Sequence, residues 1–444
     1  MSRVPQGKWL SGETQIFDVV EGESFSISKI VKERIPCEVN ALGTQNRFAV
    51  GEVLNWHEQE KAEILGLSHM GGQTLWLGLN QEILTERGWV RAKDVIITDR
   101  LARPRKTKGF GDAAPMLSGE ARMLGYLIGD GYTGGKTPIT FINTSPQLHA
   151  DAASIAKTLG CVTLPKSTPL LDVSFSHEKG KKNELLALCR EQGIWGKLAF
   201  EKTIPKVFFD PEIKEELVSN LIFGLLETDG WVTEEKTGSI RVGYGSVSPQ
   251  LVMQLHWLLL RWGIASTVEE KKTGKGGVIN GRQITGKFSS WVCRVSGQDN
   301  IIRFSEAIPL WGPRGQKLQE AIGSFSGRNR GGRSMYLSPD IQEEIVSYIS
   351  RIPLSSQEVG KIIGISPEFA KSGTKQILGT PRIRRDKLSK IAEFLSDDFL
   401  LSILDNEIAF SPITEILPKR FSQTYRVEIK NGLHPVAGGV VIRN

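Results

Sequence analysis

The chain lacks the means for a disulfide framework. Its four cysteines, Cys37, Cys161, Cys189 and Cys293, lie far apart and form no CxxC pair, which also excludes a zinc knuckle and leaves four reduced, mostly buried thiols as the expectation. It has no apolar run of the roughly 18 residues a membrane span requires. The opening MSRVPQGKWLSGETQ lacks a leader-length apolar stretch, so neither a membrane-spanning nor a secreted protein is expected, and a cytoplasmic location is. What is present is ordinary globular material. Hydrophobic residues make up 39% and charged residues 24% of the 444, enough apolar mass for real cores, so wholesale disorder is excluded. A chain of this length exceeds what one core organises, and about two to four domains are expected. The net charge of +7 fits a polyanion partner, and fits a mildly basic enzyme equally well.

Residues 9 to about 103 carry short β-branched or aromatic runs, TQIFDVV, SFSISKIV, RFAVGEVLNW and TLWLGL, and predict an all-β segment over 1–105. The basic, Gly- and Pro-containing linker RPRKTKGFGDAAP follows, after which strands alternate with helices over 116–320. That stretch contains an internal repeat. LGYLIGDGY, INTSPQL and IAKTLGC recur in the same order as FGLLETDGW, GSVSPQL and LLLRWGI, and Gly160 follows Ser145 by the same 15 residues that separate Gly263 from Ser248. A second Gly-rich basic linker, SFSGRNRGGRS, leads to a helical segment over 335–402. There Val359, Ile362 and Ile363, the turn Gly364-Ile365-Ser366, then Phe369 and Ala370 have helix-turn-helix spacing, open either to DNA contact or to a purely structural role. Residues 405–444 return to β-rich sequence.

Each repeated helix ends in an acid, Asp130 or Asp229, followed by Gly131 or Gly230, which predicts a left-handed helix stop. A carboxylate at a helix C-terminus is electrostatically misplaced, and two side by side repel unless a cation lies between them. The small residues Gly125 with Gly129, and Gly224 with Thr228, allow the two helices to approach closely enough for this. A hard divalent ion, Mg²⁺, suits such oxygen ligands and the chemistry of phosphodiester hydrolysis.

LGYLIGDGY and FGLLETDGW resemble the paired motifs of single-chain LAGLIDADG homing endonucleases. The resemblance implies an α+β domain with an αββαββα fold per copy in pseudo-twofold arrangement, motif helices at its centre and curved sheets across the DNA major groove. It implies metal-bound catalytic acids at Asp130 and Asp229, with metal contacts from the carbonyls of Gly129 and Thr228. It also implies a lysine in each half: Lys202 in KTIP, and Lys317 in GPRGQKLQEAI with Arg314 as its alternative. The strand GSIRVGYGS and the following loop offer Arg241, Lys271, Lys272, Lys275, Arg282 and Lys287 as DNA contacts.

The flanking segments WLSGETQIF, LTERGWVRAKDVIITDRLA and TYRVEIKNGLHPVAGGVVIRN resemble the splicing blocks of inteins, which implies a Hint-type horseshoe β domain built from both chain ends, 1–105 and 405–444. The splicing residues are replaced. The nucleophile position falls on Trp9, the block histidine on Gln81, the late-block aspartate on Arg426 and the penultimate histidine on Arg443, leaving only Asn444. The expectation is a free-standing, monomeric, intein-derived endonuclease, a mobile genetic element that makes a staggered double-strand break at a long asymmetric site. The alternatives are a non-cleaving, maturase-like DNA- or RNA-binding remnant and, less favoured, an active self-splicing intein.

Overall fold

The computed structural model describes residues 8–69, 74–134, 138–164, 172–177, 180–235, 238–272, 278–279, 282–283, 289–325 and 345–366, scattered positions to 383, and 385–397, 400–401, 404 and 407–444. The chain forms two compact units. One comprises 1–18, 25–107 and 331–444, the other 19–24 and 108–330.

In the first unit the chain ends share one sheet of mixed connectivity. Two long strands, Phe48–His69 and Ile408–Ile429, run antiparallel with register shifts that bend them, and Leu10 and Ser11 pair with Tyr425 and Thr424. Alternation drives this: Leu65, Leu67, Leu75, Leu77, Tyr425, Val427 and Ile429 point inward to one core with Ile16, Ile27, Ile30 and Val440. Of the run SFSISKIV, expected as a strand, only the first three residues are in one, the strand Glu23–Ser26, and the rest forms the helix Ile27–Glu33. The hydroxyl of Ser26 accepts from the Lys29 amide at its start, and the spacing of Ile27, Ile30 and Val31 buries one helical face. The helical segment has a separate core of Ile345, Ile349, Val359, Ile363, Leu388 and Ile391. Its helix Ser356–Ile363 begins with a capping box between Ser355 and Glu358 and stops at Gly364, whose φ of 77° suits glycine. The second helix of the expected helix-turn-helix, with Phe369 and Ala370, lies outside the described residues.

The second unit holds two copies of one element order. The first runs helix Ser118–Asp130, strands 131–132 and 139–142, helix Pro146–Thr158, strands 161–164 and 172–177, helix Glu184–Glu191. The second runs helix Glu215–Asp229, strands 230–234 and 240–246, helix Pro249–Arg261, strands 266–271 and 290–296, helix Gln298–Ala307. In each four-stranded antiparallel sheet the first two strands are followed in space by the fourth and then the third. The repeated SPQL explains why the copies match locally: Ser145 and Ser248 each cap a helix by accepting from Leu148 or Leu251, with proline at the first helical position, where its missing N–H costs nothing. Residues 19–24, read from sequence as part of the β segment, belong to this unit. The Gly22 carbonyl accepts from Gln250 and from the buried Gln254. All four cysteines are free and buried. Burial pushes the thiols of Cys37, Cys189 and Cys293 up to about 12.

Candidate active site

The helices Ser118–Asp130 and Glu215–Asp229 pack against each other along their small residues. A Cβ added to Gly125 would lie 2.9 Å from the Cα of Gly224 and 3.1 Å from the Leu225 amide nitrogen, so only glycine permits this approach. Thr228 faces Gly129 across the contact, and its hydroxyl donates back to the Gly224 and Leu225 carbonyls, which satisfies it inside a dry interface. Both helices end on their acids. Gly131 and Gly230 are not left-handed, as the sequence suggested, but extended, with φ of −87° and −83°. A strand begins at each, and a Cβ there would run into the backbone of Leu127 or Leu226, so the glycines are required for close approach rather than for handedness.

Each helix end meets a cation. The Lys202 ammonium donates to the carbonyls of Leu127, Gly129 and Gly131 at 3.2, 3.1 and 3.0 Å, which sets a positive charge at the carbonyl end of the helix. In the second half that place is taken by Arg314, which donates to the carbonyls of Glu227 at 2.9 Å and Thr228 at 3.3 Å and pairs with the buried Glu227 carboxylate. Lys317, the sequence's first choice, is exposed on the helix Gly312–Gly323, one turn beyond. Arg314 is the counterpart because proline at 313 starts that helix beside the second motif helix, and residue 314 is in its first turn. Arg314→Met is expected to lower any metal-dependent DNA cleavage about tenfold to a hundredfold, whereas Lys317→Met leaves it within about twofold, as single-turnover rates would show.

The two carboxyls feel each other. Burial raises Asp130, while the Asn143 amide, donating to its Oδ2 at 2.7 Å, and the charges of Lys202 and Arg314 pull it back. Asp229, open to solvent on one side, is raised by desolvation and then by Asp130, up to about 6. Lys202 is lowered by burial against the pull of both acids. The folded state therefore binds the Asp229 proton more tightly than the unfolded chain, so stability from this group is lost as pH rises from the ordinary carboxylate range through about 6. In metal-free buffer, Asp229→Asn is expected to raise Tm at pH 7 by roughly 2 °C and to leave it unchanged near pH 4. Thermal denaturation at both pH values measures this.

Among the described residues no group of three or more His, Cys, Asp or Glu side chains is placed to hold a metal. The two acids nonetheless fit a hard divalent cation, because their mutual repulsion and burial favour an added positive charge. The carbonyls of Gly129 and Thr228, expected as further ligands, are already acceptors for Lys202 and Arg314. Asn143 and Glu227 were missed from the sequence. The repeat carries a signal for the first: Asn143 and Ser246 occupy the same place before SPQL and hold Ser145 and Ser248 in the same way.

Of the expected DNA contacts, Arg241 lies on the strand Ile240–Ser246 and pairs with Glu235 at 2.7 Å. Register puts Arg241, Arg294 and Lys271 on one face of the second sheet, and Arg294, paired with Glu269, was not anticipated. Lys272 is exposed. The backbone of Arg282 forms a two-residue ladder with Val278–Ile279, and Lys275 and Lys287 lie outside the described residues.

The positions matched to intein splicing residues by resemblance lie in the first unit. Trp9 is buried, its carbonyl accepting from the Gly78 amide. The buried Gln81 donates to the carbonyl of Arg443 at 3.0 Å, Arg443 pairs with Glu82 at 3.0 Å, and Arg426 lies 3.4 Å from Glu428. The Asn444 side chain makes both hydrogen bonds to the backbone of Ile429, while Lys8, unnoticed in the sequence, donates to the Asn444 carbonyl at 2.7 Å.

Residues 216–309 match the model of a LAGLIDADG-like domain. The chain therefore carries such a domain, and it includes the second motif helix. Over its whole length the chain is 41% identical to Protein RecA of Mycobacterium tuberculosis, covering 56% of that protein, and 25% identical to the replicative DNA helicase DnaB of Synechocystis sp., covering 50%. It is 27% identical over 52% of its length to the ATP-dependent DNA helicase Hel308 of Methanocaldococcus jannaschii, covering 19% of that protein. The chain thus spans about half the length of the curated relatives it matches most fully. Among solved structures it aligns with a DnaB intein from Synechocystis sp. at 24% identity and a TM-score of 0.21, covering 22% of this chain and 69% of that one. It aligns with the homing endonuclease I-DmoI in complex with DNA and calcium at 16% identity and a TM-score of 0.30, covering 46% and 98%. No helix among the described residues is long and apolar enough to cross a membrane.

Proposed function

We propose that this chain is an intein-derived, site-specific DNA endonuclease of the LAGLIDADG type, working as a monomer on double-stranded DNA. The observation that carries the reading is the pair of carboxylates at the ends of two glycine-packed helices, each end countered by a half-buried cation. Neutral packing serves a structural helix pair better, since two acids at helix C-termini oppose the dipole and each other. Asp130 and Asp229 are the residues that would hold Mg²⁺, which when bound supplies charge neutralisation and an activated water for phosphodiester hydrolysis. Lys202 and Arg314 fix the helix ends and keep positive charge beside the cut. Asn143 orients Asp130. Arg241, Arg294 and Lys271 meet the DNA on one sheet face, and the helical segment adds a further contact. One acid per strand yields a staggered double-strand break, and the unequal halves imply a long asymmetric site.

Similarity to RecA, DnaB and Hel308 does not argue for recombinase or helicase activity. Three proteins of different names share this stretch, each over only part of its own length, as expected of an inserted element common to them. Splicing is read as lost, because Trp9 offers no nucleophile and Gln81 no titratable proton. Incubating the purified chain with randomised duplex DNA and Mg²⁺, then sequencing the ends, tests the proposal. One enriched long site with staggered ends supports it. Retention of DNA without cutting, weakened by salt, leaves a binding protein instead.

A further inference from the structure

Each cation reaches its helix end from a segment that follows its own copy of the repeat, Lys202 after the helix Glu184–Glu191 and Arg314 after the helix Gln298–Ala307. The residues that hold those segments come from the other copy. For Lys202 they belong to the helix Pro249–Arg261 and its cap. The Ser248 hydroxyl donates to the Lys202 carbonyl at 2.8 Å, and the Gln254 carboxamide accepts from the Ile204 amide at 2.7 Å and donates to the Ile204 carbonyl at 3.2 Å. Gln254 donates to the Gly22 carbonyl as well, at 2.7 Å, and is 1% exposed. Burying a carboxamide costs its hydration, and here three hydrogen bonds to backbone outside its own helix offset that. The first copy has a polar side chain at the same place. Asp151 follows Ser145 by the same six residues that separate Gln254 from Ser248. Its carboxylate lies 3.0 Å from Nε of Arg122 and accepts from the Tyr126 hydroxyl at 2.9 Å, and the Arg122 guanidinium lies over the ring of Trp311 at 5.3 Å. Trp311 caps the helix that carries Arg314, and its amide donates to the Glu227 carboxylate at 2.7 Å.

We infer that Gln254 and Asp151 are positioning residues that act across the repeat: Gln254 of the second copy sets Lys202 for the first half of the site, and Asp151 of the first copy, through Arg122 and Trp311, sets Arg314 for the second. Their effect on cutting rests on the endonuclease reading, whereas their hold on the cations does not. A lysine ammonium sits on a flexible four-carbon stem, so it is placed only where its backbone is. Ser248 fixes the carbonyl of Lys202, and Gln254 fixes both polar groups of the Ile204 backbone two residues on. The stem then starts from one place, and its ammonium meets three carbonyls at once. Arg314 stands in the first turn of its helix and needs only that helix start to be set, which Trp311 does against Arg122 and Glu227. Neither half keeps its cation in place without the other copy, and the two halves fail separately.

The test uses the full chain. Without DNA, acetic anhydride should modify Lys202 several-fold faster in Gln254→Met than in wild type while the exposed Lys214 reacts equally in both, as peptide mass spectrometry reads. Phenylglyoxal, which modifies guanidinium groups, should do the same at Arg314 in Asp151→Asn. The cutting assay uses the site that wild type selects from the randomised library in Mg²⁺, with its two strands labelled differently. Gln254→Met is expected to slow about tenfold the strand that Lys202→Met slows most and to leave the other within about twofold, so that nicked DNA accumulates. Asp151→Asn should slow instead the strand that depends on Arg314. Gln254→Glu keeps the acceptor for the Ile204 amide and should lose less than Gln254→Met, which separates lost positioning from lost folding. Unchanged modification rates overturn the inference whatever the cutting shows. So does equal slowing of both strands, the sign of a merely destabilised unit, or slowing of the strand served by the variant's own copy. If wild type cuts no DNA, the endonuclease reading falls alone, and the modification rates still decide whether Gln254 and Asp151 hold the two cations.

Discussion

Asp130→Asn and Asp229→Asn should each leave DNA binding intact and reduce cleavage at least about 10²–10³-fold, the loss typical when one preorganised charge is taken from a reacting centre. The substitution is isosteric and falls at a helix end with a solvent-open side, so the fold should persist. Removing one of two mutually repelling acids also lowers the demand for a cation, and divalent-metal affinity should fall with the rate. The two variants should differ in detail. Asp130 shares a hydrogen bond with Asn143, so Asp130→Asn must turn its amide to present oxygen to that donor, whereas Asp229→Asn chiefly relieves desolvation and the repulsion from Asp130. Gel-shift and single-turnover cleavage on one DNA site separate binding from chemistry. Wild-type cutting rates in both variants would remove the acids from the active site.

Gly125→Val should destabilise the second unit by about 2–4 kcal/mol and abolish cutting. The added carbons meet backbone of the facing helix at Leu221, Gly224 and Leu225, and backbone cannot rotate out of the way as a side chain can. Forcing the helices apart also separates the acids at their ends. Circular dichroism melting compared with Gly109→Val, where an added Cβ meets nothing within 4 Å, measures the loss. Equal melting in the two variants would mean that the helix contact is looser than the geometry requires.

Much of this site was legible in the chain. The twice-written motif placed both acids on helix ends, because a repeat of matching length constrains several positions at once, and the family resemblance of KTIP singled out Lys202. The first helix of the β unit was not legible. SFSISKIV has the β-branched content of a strand, and only the Ser26 cap and the burial of Ile27 and Ile30 in a shared core made it helical. Which cation meets the second helix end was not legible for a similar reason. Lys317 and Arg314 are three residues apart on one helix, and the choice between them depends on where that helix starts relative to Glu227 and Thr228. Asn143 could have been found by aligning INTSPQL with GSVSPQL, but its contact with Asp130 spans 13 residues and two strands.

What the sequence determined by itself was the doubling, the acids at two helix ends and the glycines that let those helices meet. These are local properties, fixed by residue type and spacing. What only the tertiary structure decided was which groups face them: Arg314 rather than Lys317, Asn143 beside Asp130, Glu227 beneath Arg314, Lys8 against Asn444, and glycines after the acids that are extended rather than left-handed. Each joins residues distant along the chain, or depends on how closely one backbone segment approaches another. Such contacts follow from the packing of whole elements, which residue spacing does not encode.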